Sequence, residues 1–97
     1  MSNDGKKYDR GKARFDLIPP KAELEVAKVL TFGAEKYGAN NWMLVDRPQE
    51  RYLAAARRHI NELQRGHATD DETGLSHLAH AVCCLLFLLE MEKRDPE

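Results

Sequence analysis

The stretch AVCCLLFLL, residues 81–89, places nine apolar side chains in a row inside a chain of 97 residues. An amphipathic surface helix needs only one apolar stripe, so a run this uniform belongs to a helix covered on several sides. It falls far short of the roughly 20 residues that a bilayer span requires, so it reads as a core segment and excludes a membrane partner. A chain of this length buries only about 60–70% of the surface it exposes when unfolded. Its central helix therefore asks for more cover than one copy supplies, and a dimer or a dimer of dimers is expected.

The remaining pattern is helical throughout. Residues 1–13, MSNDGKKYDRGKA, read as a flexible polar arm, and residues 14–97 as one domain. After RFDLIPP, Pro20 suits a first helical turn, and Leu24, Ala27, Leu30, Thr31, Ala34 and Tyr37 recur at helical spacing, giving a first helix that ends near Tyr37. Asp46 with Gln49 reads as a capping box for a second helix, from about Arg47 to Arg65, stopped by Gly66. Its core face is read as Tyr52, Leu53, Ala56, Ile60 and Leu63, and its neighbouring edge carries Arg51, Ala55, Arg58, His59 and Glu62. HATDD is a loop, and Thr69 with Glu72 offers a second capping box for a third helix from about Asp71 to Lys93. That helix has two stripes: Leu75, Leu78, Val82, Leu85 and Leu89, and then Cys84, Phe87 and Met91, the second of which another copy is expected to cover. No strand pattern and no repeat is present. The fold expected is all-α: a helical hairpin bundle of three main helices, completed by homo-oligomerisation.

Fifteen basic residues stand against 16 acidic ones, so no bulk attraction to duplex nucleic acid or an anionic membrane is implied, and any anion must be bound locally. Cys83 and Cys84 point about 100° apart on a helix, a poor geometry for a disulfide, and read as small buried hydrophobes. Without a basic start followed by an apolar run at the amino end, a reducing, cytoplasmic setting is expected.

His77 and His80 open the third helix on the face that Cys84, Phe87 and Met91 continue. A buried imidazole left without a partner costs roughly 1–3 kcal/mol, so two of them need a site. Three explanations compete. Each ring can satisfy a neighbouring carbonyl or acid. Alternatively, His77, His80 and Cys84 can bind zinc with His59 or Glu62, although no CxxC or HExxH spacing is present. In the third, imidazoles and carboxylates on facing helices hold divalent metals for a polyphosphate, since His59 and Glu62 repeat the same spacing on the preceding helix. GAEKYGANNW, residues 33–42, fits the third. Gly33 costs about 1 kcal/mol inside a helix and suggests a close approach by a backbone or ligand. Lys36 offers charge for phosphate, Tyr37 and Trp42 flat faces for a base, and Asn40 and Asn41 paired groups for its edge. The plain alternatives are a turn at Gly38 and the asparagines, a plug at Trp42, and a solvated face at Arg57 and Arg58.

KARFDLIPP, LTFGAEKYGANNW, RYLAAARRH and ETGLSHLAHA together resemble the phage-type dATP/dGTP diphosphohydrolase domain family, related to the all-alpha MazG-like nucleoside triphosphate pyrophosphohydrolases. The resemblance runs from about Lys12 to Leu89. It implies a helical oligomer, in the host-cell cytoplasm if phage-encoded, that uses Mg²⁺ or Mn²⁺ to cleave dGTP or dATP to the monophosphate and pyrophosphate. The MazG-like pattern places ExxE on one helix and ExxD on the next. Here the matching segments are HINE (His59–Glu62) and HLAH (His77–His80), so imidazoles replace three of four carboxylates and favour Mn²⁺ over Mg²⁺. The implied metal set is His59, Glu62, His77 and His80 with Asp70 or Glu72, and Glu62 and Glu72 are the acids at the reaction centre. Lys36, Arg58 and Arg14 would face the phosphates, Gly33, Tyr37 and Trp42 the nucleotide body, and Asn41 the edge of the base. The competing expectation is a protein that sequesters a linear or cyclic signalling nucleotide without hydrolysing it.

Overall fold

The computed structural model of the chain describes residues 5–94. Of the expected arm, residues 5–13 are exposed and outside any helix, and residues 1–4 lie outside the described residues, as do 95–97 of the expected domain. Three helices follow, α1 (Pro20–Tyr37), α2 (Pro48–Gln64) and α3 (His77–Lys93), with short 3-10 turns at Phe15–Leu17 and Asn41–Leu44. Among the described residues there is no strand, only an isolated antiparallel bridge between Thr69 and Ser76. The all-helical expectation therefore holds.

Helix ends follow local chemistry. Pro20 starts α1, where its missing N–H has no partner to lose, and Gly38 stops it at φ 96°, a left-handed value that glycine adopts freely, with its N–H on Ala34 O at 2.8 Å. The Asp46–Gln49 capping box does not form: Arg47 is the N-cap, without a side-chain cap bond, and Asp46 meets the Arg47 guanidinium at 3.6 Å instead. The third helix begins six residues later than the sequence suggests. Residues 70–74 close into a loop in which Thr73 N–H donates to Asp70 Oδ2 at 2.9 Å and Gly74, at φ 72°, donates to Asp70 O at 2.7 Å. Ser76, not Thr69, caps α3 by accepting from Ala79 N at 3.1 Å. The Asx-type turn at Asp70 competes successfully with helix for those backbone groups.

α3 packs along the length of α2 and more sparsely on α1. The core is small: Val29, Ala79 and Cys83 form its centre, with Val26 and Leu75 against them, and Ala56, Ala81 and Cys84 are buried nearby. The expected core face of α2 is therefore corrected, and that of α1 is now defined. On α1 the buried edge is Val26 and Val29, while Leu24 and Leu30 are exposed; on α2, Ala56 is buried but Leu53, Ile60 and Leu63 stand out in solvent. Alanine, cysteine and histidine at the α2–α3 contact let the helices approach closely, and the larger aliphatic residues fall on the outside. The stripe Cys84, Phe87, Met91, expected to await another copy, is covered within the chain, where Trp42 stacks on Phe87 at 4.8 Å and Tyr52 meets it edge-on at 5.2 Å. The radius of gyration, 17.5 Å, exceeds the roughly 12–13 Å of a compact chain of this length.

Candidate nucleotide and metal site

A cleft of about 880 Å³ opens between α1, the Asn41–Leu44 turn and the α2–α3 hairpin. This lies within the size range of small-molecule sites. Gly33, Lys36, Tyr37, Asn41 and Trp42 line it from the α1 end; Arg58, His59, Asp70, Glu72 and His80 line it from the hairpin and its loop. The structure thus gathers ten of the expected site residues on one surface. Arg14 lies apart, its guanidinium holding Asp16 at 2.7 and 2.9 Å on the exposed surface. Glu62 and His77 line a smaller neighbouring pocket of about 410 Å³, and Asp70 borders both pockets.

Three imidazoles meet on the wall between the pockets. His59 Nδ1 lies 2.9 Å from His77 Nδ1, so one ring donates and the other accepts, and His59 stacks on His80 with centroids 4.6 Å apart. His77 is buried, as an inward-facing histidine should be, and His80 Nε2 meets Thr73 Oγ1 at 2.9 Å. Burial pushes the His59 imidazole below its ordinary pKa, helped by His80 and His77 and opposed by Asp70. Burial also lowers that of His80, against the pull of Asp70. These rings are therefore biased towards the neutral form that binds metals. Burial raises the Asp70 carboxyl, but hydrogen bonds from Thr73 outweigh it and keep the group below the usual carboxylate value.

His59, Asp70 and His77 each offer a ligand atom, all within 4.8 Å of one another. Two imidazoles and one carboxylate suit a transition metal better than magnesium, which prefers oxygen. The remaining expected ligands stand differently. Glu62 accepts from His67 Nδ1 at 2.6 Å and pairs with Arg65 at 2.9 Å; the His67 bond, first, lowers its pKa. Glu72 pairs with Lys36 across the cleft rim, which raises the lysine pKa. Cys83 and Cys84 are free and buried, as expected of small hydrophobes; burial pushes the Cys83 thiol up to about 12 and raises that of Cys84, and the group of close ligand atoms is His59, Asp70 and His77, without Cys84.

On the nucleotide side, Tyr37 is exposed with Lys36 Nζ 5.1 Å from its ring centre, whereas Trp42 is engaged by Phe87 and lies 5.4 Å from the Arg94 guanidinium. Tyr37 is thus the freer flat face. A Cβ at Gly33 would meet nothing within 4 Å, so no other part of this chain makes the close approach that the sequence suggests. Sequence reasoning missed Thr73, which braces both Asp70 and His80, and His67, which holds Glu62. The Asp70-to-Thr73 spacing of an Asx turn was the available signal for the first.

The chain matches, over residues 2–97, the family described as dATP/dGTP diphosphohydrolase, N-terminal. It is 45% identical over 92 residues to a dATP/dGTP diphosphohydrolase of Salmonella phage PMBT28, an alignment that covers 95% of this chain and 31% of that protein. The chain thus spans about a third of the length of the curated relative it matches. No solved structure matches it.

Proposed function

This chain belongs to the dATP/dGTP diphosphohydrolase N-terminal family, and we propose that its cleft binds a purine deoxynucleoside triphosphate for cleavage to the monophosphate and pyrophosphate. The observation that carries this is the convergence of Lys36 and Arg58 with the His59–Asp70–His77 group and the exposed Tyr37 ring on one cleft and its wall. The phage relative's name supplies the substrate class. Lys36 and Arg58 meet the phosphate oxygens and gain strength as the triphosphate displaces water. Lys36 leaves Glu72 to do so, and Glu72 is then free to accept a proton. Tyr37 stacks the purine, Trp42 backs it, and Asn41 reads its edge.

His59, Asp70 and His77 would hold the divalent ion, with His80 stacked behind His59, and their chemistry favours Mn²⁺ over Mg²⁺. When bound, the ion supplies positive charge beside the phosphates. Pairing with a second copy and a host-cytoplasm setting belong to the same reading. No helix among the described residues is long and apolar enough to cross a membrane.

One observation favours a second reading, binding without hydrolysis. Glu62, the carboxylate that the family pattern keeps, is tied to His67 and Arg65 and lines the smaller pocket instead of the cleft. Calorimetric titration of the full chain with dGTP and Mn²⁺ tests the site under either reading. Lys36→Ala and Arg58→Ala should each weaken binding about tenfold or more, since a charge-assisted hydrogen bond contributes roughly 1.5–3 kcal/mol. Wild-type affinity in both variants would remove the cleft as the phosphate site.

A further inference from the structure

We infer that Glu90, on the cleft wall towards the far end of α3 from the histidines, is the residue that reads the base, and that it selects guanine over adenine. This deepens the nucleotide reading of the cleft and rests on it. Three acidic side chains line the cleft: Asp70, Glu72 and Glu90. Asp70 belongs to the His59–Asp70–His77 group and Glu72 pairs with Lys36, so both stand where the phosphates are placed. Glu90 stands apart. It follows His80 by ten residues on the same helix, a displacement of about 15 Å along the axis. A carboxylate there repels a triphosphate, which drives the phosphates to the end that holds Lys36 and Arg58 and leaves the base facing Glu90.

The surroundings of Glu90 suit a purine. Trp42 stacks on Phe87, the residue one turn before Glu90, and Tyr37 and Asn41 line the same cleft. Arg94, one turn after Glu90, meets its Oε2 through Nε at 3.4 Å while the guanidinium lies 5.4 Å from the Trp42 ring centre. Carboxylate, guanidinium and indole are thus tied into one group. Arg94 is the only ion-pair partner of Glu90 among the described residues, and the carboxylate is 56% exposed, so it keeps lone pairs for a ligand. Chemistry then separates the two purines. An ionised carboxylate only accepts, through two oxygens side by side. Guanine presents two donors side by side on its Watson–Crick edge, N1–H and N2–H, and both donate to Glu90. Adenine presents the N6 amine beside the bare lone pair of N1, which the carboxylate repels. Glu90 therefore binds one purine and opposes the other.

Calorimetric titration of the full chain with the α,β-methylene analogues of dGTP, dITP and dATP and Mn²⁺ tests it, since the bridging carbon blocks cleavage. The base of dITP differs from guanine only by the missing N2 amine. The wild type should bind the dGTP analogue at least about tenfold more tightly than the dATP analogue, with the dITP analogue between them. Glu90→Ala should abolish most of that preference. Glu90→Gln, whose amide donates to adenine N1 and accepts from its N6 amine, should shift the preference towards the dATP analogue. The wild-type comparison of dGTP with dITP needs no variant. Equal binding of the three analogues by the wild type, or an unchanged guanine preference in Glu90→Ala, overturns the assignment and leaves the cleft as a nucleotide site. Failure of all three to bind overturns it together with the nucleotide reading.

Discussion

On the cleft side of the α2–α3 hairpin, His59 and His80 stack at 4.6 Å, Arg58 and Asp70 stand beside them, and Lys36 reaches in from α1. On the other side of the same two helices, Leu53, Ile60, Leu78, Val82, Leu85 and Leu89 form an apolar surface. Between them the helices meet at His59 and His77 and at Tyr52 and Phe87, while Ala56, Ala81 and Cys84 are buried. Helical periodicity sorts one stretch of sequence into three layers: a polar face on the cleft, a thin buried layer and an apolar outer face. Hydrophobicity alone therefore does not mark the core of a chain this small. Its largest aliphatic residues lie on the exposed outer side, and Phe87, packed between Trp42 and Tyr52, lies on the cleft side.

That contrast is open to being broken. Phe87→Ala removes the ring between Trp42 and Tyr52 and should destabilise the chain by about 2–3 kcal/mol, independent of protein concentration, because the partner rings lose their contact within one copy. Chemical denaturation at two protein concentrations measures it. A loss that appears only at low concentration would place Phe87 at a contact between copies and erase the distinction.

Acid should act on the cleft side first, with a smaller effect. The folded pKa values of His59 and His80 lie below the ordinary 6.5, so the unfolded chain binds their protons more readily. The stabilisation from their neutral forms is fully present above about pH 6.5 and is lost as pH falls through the lowered folded values. Thermal melts of the metal-free protein between pH 7.5 and pH 4.5 should show this decline, reduced in His80→Gln. A melting temperature that rises on acidification over that range would contradict the buried, neutral histidine cluster.

Much of this was legible in the sequence. Pro20, Gly38 and Gly66 marked helix ends, and the shared spacing in HINE and HLAH pointed to the face on which His59, His77 and His80 meet. GAEKYGANNW supplied one wall of the cleft. The start of α3 was not legible, because TDDETG satisfies both a capping-box pattern and an Asx turn, and only tertiary pairing of Glu72 with Lys36 shows which one forms. The core face of α2 was misread for a related reason. Periodicity reports which residues share a face, but the choice between two plausible faces depends on which neighbour packs closely.

The function proposed for the cleft is cleavage of a purine deoxynucleoside triphosphate between its alpha and beta phosphates. Incubating the full chain with dGTP or dATP and Mn²⁺, and separating the products by chromatography, tests it most directly. The monophosphate and pyrophosphate should appear in equal amounts, and both should be lost in His77→Ala, which removes a proposed metal ligand together with the partner of His59. Inorganic phosphate with the diphosphate as the products would contradict it.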